Sequence, residues 1–340
     1  MSRTSANVSA VMTQVLWALL PAVLAHWWFF GPSIWVQITL AIGFGALFEG
    51  IMLSLRGRPV WRFLNDRTMV VAAVLLALCL PPLAPWWVVA TGMLFAIVIA
   101  KHLYGGVGQN LFNPAMVGFA VVIISFPTEL TQWLLPRPLN PQLPSLMQSL
   151  QAILTGQLPA TLSWDVISQA TPLDQTRTGR VEGLRLSEVQ NHPVFGPFGG
   201  VGWAPIAFAY LIGGIWLLAR GVIHWRIPVT ILLATIAISL LPWLFDSDRF
   251  LSPLQHLTAG ALVMAAFFIA TDPVSGCDTP RGQVAFSLGV VAITLAIRQW
   301  GAFPDGVAFA ILMMNMVAPL LDRYLRPPVY GERPTTRVKP

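Results

Sequence analysis

The chain has 340 residues, 56% of them hydrophobic and 10% charged, with a formal net charge of +6. A soluble domain of ordinary composition carries about 25% charged residues, so a free globular domain is excluded and a polytopic membrane protein is indicated. Nucleic-acid binding is excluded too, because the Lys and Arg residues are spread over short inter-span loops and form no basic patch interleaved with aromatics.

Apolar runs between polar or Pro/Gly punctuation predict about ten transmembrane helices, near 13–30, 33–55, 68–84, 86–103, 114–131, 203–220, 227–245, 254–271, 283–299 and 304–321. The first is long for a signal-peptide core and is followed directly by another span, so it reads as a retained helix. Four regions follow: a membrane half over 1–131, a long polar loop over 132–202, a second membrane half over 203–322 and a basic tail over 323–340. The fold class expected is an all-α polytopic membrane protein.

Lys and Arg distribute unevenly over the two sides. One side takes Arg3, Arg56, Arg58, Arg62, Arg67, Lys101, Arg220, Arg226, Arg281, Arg323, Arg326, Arg333, Arg337 and Lys339, which is 14 of the 20. The other keeps Arg137, Arg177, Arg180, Arg185, Arg249 and Arg298. By the positive-inside rule both termini are cytoplasmic and the long loop faces the opposite, periplasm-like compartment. Five spans on each side of the loop put the halves in opposite orientations, the arrangement of an inverted repeat. Pro and Gly breaks match across the halves: Leu80-Pro81-Pro82 with Thr271-Asp272-Pro273, Lys101-His102-Leu103-Tyr104-Gly105-Gly106 with Arg298-Gln299-Trp300-Gly301, and Phe112-Asn113-Pro114 with Phe303-Pro304-Asp305-Gly306. Such matched breaks predict irregular backbone at membrane depth, tolerated where it lines a cavity.

Few side chains outside the loop invite chemistry. Glu49 lies within the second span, where an ionisable group marks either a functional site or a carboxylate reaching Arg56 or Arg58 on the next turns. Asp66, Asp272, Asp278 and Asp305 fall at span ends, where capping competes with a part in cation passage. Trp27, Trp28, Trp86, Trp87, Trp203 and Trp300 match an interfacial aromatic belt. His102 and His256 have no metal-ligand spacing, and Gly105-Gly106-Val107-Gly108 lacks the βαβ context of a dinucleotide site. Cys79 and Cys277 cannot make a disulfide framework, a zinc site or an iron–sulfur site, so any redox chemistry must come from an organic cofactor.

The loop is bounded by proline clusters (Pro136, Pro138, Pro141 and Pro144; Pro193, Pro197 and Pro205) and contains Asp165-Val166-Ile167-Ser168-Gln169-Ala170-Thr171-Pro172. By itself Thr171 is one loop hydroxyl among several, with Asp165 spaced to help hold a metal-bound nucleotide.

The wider sequence resembles the NqrB/RnfD family of membrane redox subunits, and within it the RnfD branch. The resemblance rests on Lys101-His102-Leu103-Tyr104-Gly105-Gly106, Gly108-Gln109-Asn110, Phe112-Asn113-Pro114-Ala115-Met116, Ala270-Thr271-Asp272-Pro273-Val274, Thr279-Pro280-Arg281-Gly282, Pro304-Asp305-Gly306-Val307-Ala308-Phe309-Ala310, Met314-Asn315-Met316, Pro319-Leu320-Leu321-Asp322 and Pro327-Pro328-Val329-Tyr330-Gly331. It covers essentially the whole chain. It implies a subunit of a bacterial inner-membrane complex that moves electrons while translocating Na⁺ or H⁺. The partners implied are a second periplasmic flavoprotein subunit, further membrane subunits, iron–sulfur subunits and a flavin transferase.

The resemblance also implies an FMN joined through its phosphate to a threonine hydroxyl. The family motif places that threonine at Thr171, after Asp165, Ser168 and Ala170; Gln169 stands where glycine is common, and Pro172 where Ser or Thr is frequent. Similar proteins hold a second, non-covalent flavin such as riboflavin among their helices. Without the resemblance, paired five-helix halves would suit a solute channel or transporter, or a scaffold for partner subunits.

Overall fold

The computed structural model describes residues 8–326 except 107, 141 and 161. Arg3, Arg333, Arg337 and Lys339, together with Val107, Pro141 and the closing Pro327 to Gly331, lie outside the described residues. The first half consists of α1 (Val8–Phe30), α2 (Ser33–Leu55), the short α3 (Val60–Leu64), α4 (Thr68–Cys79), α5 (Trp86–Leu94, continued by a π-helical stretch Phe95–His102) and α6 (Pro114–Ser125). The loop region folds into α7 (Pro127–Thr131), β1 (Trp133–Leu134), α8 (Leu146–Thr155), α9 (Trp164–Ile167), β2 (Ser168–Gln169), α10 (Pro172–Val181), α11 (Leu186–Val189), β3 (Phe195–Gly196) and β4 (Gly199–Gly200). The second half holds α12 (Trp203–Ala219), α13 (Arg226–Phe245), α14 (Pro253–Thr258), α15 (Leu262–Met264, continued by a π-helical stretch Ala265–Ile269), α16 (Pro280–Trp300) and α17 (Val307–Tyr324). The all-α polytopic architecture expected from the sequence is the one observed. Among the described residues, five helices are long and apolar enough to cross a bilayer. The segments 68–79, 86–102, 114–125 and 203–219 are shorter apolar helices.

Three of the expected spans are interrupted, the fifth at Phe126 between α6 and α7. The third is helical only to Cys79; Leu80 is extended, and Pro82 and Leu83 form a turn. Prolines cannot donate a helical N–H, and the carbonyls freed at this point need partners in an apolar setting. The fully buried amide of Gln37 supplies them, donating to Pro82 O at 3.3 Å and Ala84 O at 2.7 Å. The eighth span, expected to be continuous over 254–271, instead breaks between α14 and α15 at Ala259-Gly260-Ala261. Here the buried Arg298 donates to His256 O (2.5 Å), and Asp305 accepts the Ala261 N–H (2.9 Å).

Both halves use one packing scheme. In the first, α2 packs on α4 and α5, and α6 on α5; in the second, α13 packs on α14 and α16, and α17 on α16. The first helices of the two halves, α1 and α12, pack against each other, as do the last, α6 and α17. A scheme that maps onto itself when the halves are exchanged is what an internal repeat produces. The α1–α12 crossing is close because Gly213 has no side chain: a Cβ there would collide with the carbonyl of Ala18. Gly213→Val is therefore expected to force the helices apart and destabilise the chain by about 1–3 kcal/mol, read as a lower thermal-unfolding midpoint in detergent.

Candidate functional site

The loop is a folded cap rather than an extended tether. Strand β1, directly after α7, pairs antiparallel with β2, so Trp133 lies opposite Gln169. That pairing fixes the segment just before Thr171 against the strand that follows α7. Ser168 Oγ–H donates back to Trp164 O (2.7 Å), and the Gln169 amide meets His192 Nδ1 (3.1 Å). Further along, the Leu186 N–H bonds Asp248 O, and Arg180 donates to the carbonyls of Arg298 (2.9 Å) and Gln299 (3.1 Å) at the end of α16. Burial, and then the charge of Arg249, pulls the Arg180 pKa below its usual value, a desolvation those two carbonyls offset. Leu173, Leu186, Leu251 and Ala259 form a small apolar cluster beneath the cap.

Thr171 is the N-cap of α10. Its Oγ1 accepts the Asp174 N–H at 3.2 Å, and Pro172 occupies the first helical position, where a missing N–H is harmless. Pro172 is thus a helix starter, closely covered by Gly200, where a Cβ would strike the proline ring. The carboxylate of Asp174 is neutralised by Arg177 at 3.0 Å. Asp165, expected to assist at the site, is exposed on α9.

Thr171 stands on the wall of a half-open pocket between the helices, with a cavity volume of about 160 Å³. Apolar and aromatic walls come from Leu78, Met116, Phe119, Ile123, Trp133 and Trp203. Trp203, expected in an interfacial belt, packs edge-on to Phe30 (5.3 Å between ring centres) beside Trp133 and faces this space. Polar groups are few and specific: Thr171, Thr131, Asp174, Asp305, Tyr210 and His26. Gly260, at the break in the eighth span, also contributes; a Cβ there would meet Leu173, Arg298 and Asp305 at 2.5–2.6 Å. The breaks after Cys79 and at Gly260 therefore both open onto the pocket.

The other residues singled out in the sequence lie elsewhere. Glu49 is fully buried and its partner is neither Arg56 nor Arg58 but Lys101, whose Nζ donates at 2.7 and 2.8 Å to the two carboxylate oxygens and at 3.0 Å to Thr68 Oγ1. The Nε2 of His102 is 3.8 Å from Glu49, and Arg56 caps the carbonyl of His102 at 2.6 Å. Lys101, counted by side with the solvated cations, is thus buried and paired, and so is Arg298, with Asp305 at 3.1 Å. Removing one from each side leaves the charge asymmetry in place. Asp66 caps the start of α4 through Thr68, and Asp272 accepts from Val274 N and Ser275 Oγ. Asn113 caps α6, and Asn315 accepts its N–H at 3.1 Å and donates to Ser275 O at 2.9 Å, tying the halves together. Cys277 is buried, its thiol pushed up to about 12 by burial and by the charges of Asp322 and Asp278, so it is inert as a thiolate nucleophile at neutral pH. Among the described residues no cluster of three or more His, Cys, Asp or Glu could hold a metal ion. His26, Tyr210 and Gly260 were not singled out by sequence reading; only the polar character of His26 and Tyr210 within apolar runs, and a mid-span glycine, could have drawn attention to them.

A helical membrane protein whose loop segment covers a largely apolar pocket with a few convergent polar groups has the general form of a small-molecule site. The chain belongs to the NQR2, RnfD, RnfE family, whose model matches residues 1–331. Relatives named as subunits of an ion-translocating oxidoreductase complex include that of Escherichia fergusonii, 43% identical over 335 residues, which is 96% of this chain and 95% of that one. The Cronobacter sakazakii relative is 43% identical over 335 residues, 96% of each chain. That of Yersinia pseudotuberculosis is 44% identical over 331 residues, 95% and 94% of the two.

Proposed function

We propose that this chain is the RnfD-type membrane component of an Rnf/Rsx-type, ion-translocating electron transport complex, carrying FMN covalently through its phosphate on Thr171. The observation that carries the reading is the position of Thr171: a helix-capping hydroxyl on the wall of the aromatic-lined pocket. A phosphate esterified to its Oγ1 would sit at the N-terminus of a ten-residue helix, where the first-turn N–H groups and helix dipole favour negative charge. The chemistry of the lining suits a flat aromatic ring with a polar edge: Trp133, Trp203, Met116 and Phe119 offer faces, while Asp305, Thr131, Tyr210 and His26 offer hydrogen bonds. Bound flavin would supply the one- and two-electron chemistry. The protein's contribution is placement, since the ester and the docked cap hold the group without the entropic cost of free binding.

In this reading the cap and Thr171 face the periplasm, both termini are cytoplasmic, and electron transfer through neighbouring subunits is coupled to Na⁺ or H⁺ movement across the inner membrane. Those neighbours include a second periplasmic flavoprotein subunit, membrane subunits and iron–sulfur subunits, and a flavin transferase loads Thr171. A second, non-covalent flavin such as riboflavin belongs to the same proposal. The alternative, a solute channel without redox cofactor, draws on the repeated halves alone. Mass spectrometry of the chain co-expressed with a flavin transferase separates the two: the tryptic peptide ending at Arg177 should gain the mass of FMN less one water, localised to Thr171. An unmodified peptide, with a small solute crossing liposomes made with the purified chain, would favour the channel.

A further inference from the structure

The inner part of the pocket carries a pair of polar side chains that neither the cap nor the helix breaks require. Tyr210 on α12 and His26 on α1 are 5% and 7% exposed, and both line the pocket. The Tyr210 hydroxyl and His26 Nε2 are 3.4 Å apart. Apolar rings surround them: Phe30 lies 5.9 Å from the His26 ring and Phe268 the same distance from Tyr210. Buried hydroxyls and imidazoles in such surroundings are costly unless satisfied, and here each partly satisfies the other. Tyr210 lies seven residues, or about 10 Å of helix rise, below Trp203. That is the span of a three-ring system reaching inward from the level of the cap.

Resting on the FMN reading above, we infer that the Tyr210 hydroxyl, oriented by His26, donates a hydrogen bond to the polar edge of a flavin ring lying in the pocket and so raises that flavin's reduction potential. With its Nε2 protonated, His26 donates to the Tyr210 oxygen and leaves the phenolic hydrogen free to point into the pocket. Reduction adds electron density to the carbonyl edge of the ring, and a donor preorganised there in a water-poor site favours the reduced form over the oxidised one. Tyr210 is then a residue that touches the cofactor, and His26 a positioning residue.

The test is a redox titration of the covalently loaded full-length chain in nanodiscs, followed by flavin absorbance. Tyr210→Phe removes one oxygen and keeps the ring packing. It should lower the equilibrium constant for flavin reduction about tenfold, a fall of about 30 mV for a two-electron couple. His26→Phe should produce a smaller shift in the same direction, and His26→Gln, which can still hydrogen-bond Tyr210, should restore the wild-type value. If either position fails to accumulate folded protein on substitution, the other carries the comparison. Potentials within twofold of wild type for both Tyr210→Phe and His26→Phe would overturn the inference while leaving the Thr171 attachment intact. A wild-type chain with no covalent flavin would overturn the reading beneath it.

Discussion

Thr171→Ala, co-expressed with a flavin transferase, is expected to show no flavin fluorescence in a denaturing gel, whereas wild type gives a fluorescent band at the mass of the chain. Alanine has no oxygen to esterify, so the loss should be complete rather than graded. A structural explanation can be separated by magnitude. Removing a threonine N-cap costs about 0.5–2 kcal/mol. That frays the start of α10, but the cap is also held by the β1–β2 pairing, the Arg180 bonds to the end of α16 and the Leu186–Asp248 bond. Thr171→Ala protein should therefore accumulate in the membrane and elute like wild type. Thr171→Ser keeps both the hydroxyl and the cap and is expected to remain fluorescent. A fluorescent Thr171→Ala band would sink the assignment, and Ser168 and Thr176 would be the next hydroxyls to examine. Both are already engaged, Ser168 with Trp164 O and Thr176 with Pro172 O.

The same residues show which parts of the molecule a sequence can announce. Ten apolar segments were readable because hydrophobic runs of membrane length have few alternatives, and each has a helical counterpart in the structure. The family motifs pointed to Thr171, and the structure adds reasons for its two unusual neighbours. Pro172 begins α10, and Gln169 spans from the β1–β2 pair to His192. The matched breaks announced a cavity, but its full lining was not readable. Its walls come from α1, α4, α6, α12, the interrupted eighth span and the segment before α17, brought together by a packing scheme that no local pattern encodes. The break at Gly260 was hidden because Ala259-Gly260-Ala261 is as apolar as a helix interior. What makes it a break is the ion pair of Arg298 and Asp305, which supplies hydrogen bonds to the freed backbone from some forty residues away.

The buried pair Glu49–Lys101 is expected to show the largest stability effect of any polar contact in the first half. Sequence reading placed Lys101 at the end of the fourth span, 86–103, and counted it with the cations of the cytoplasmic side. In the structure the π-helical continuation of α5 carries it back inside, 4% exposed, against a fully buried Glu49. An ion pair so enclosed is weak evidence for stability when whole, since desolvation offsets most of the attraction; halving it leaves an uncompensated charge. Glu49→Gln strands the ammonium with only Thr68 Oγ1 and an amide oxygen. Lys101→Met strands the carboxylate, because the nearest remaining cation candidate, His102 Nε2, is 3.8 Å away and outside hydrogen-bond reach. Each single change should destabilise the chain by about 3–5 kcal/mol. That corresponds to a fall of on the order of 5 °C or more in the melting midpoint in detergent. The double variant Glu49→Gln/Lys101→Met removes both charges while nearly keeping the volume, and should recover to within about 1 kcal/mol of wild type, a strongly non-additive cycle. Additive losses, with the double variant the least stable of the three, would show that Glu49 and Lys101 each serve a separate partner and that the pair is not the unit holding α2 against α5.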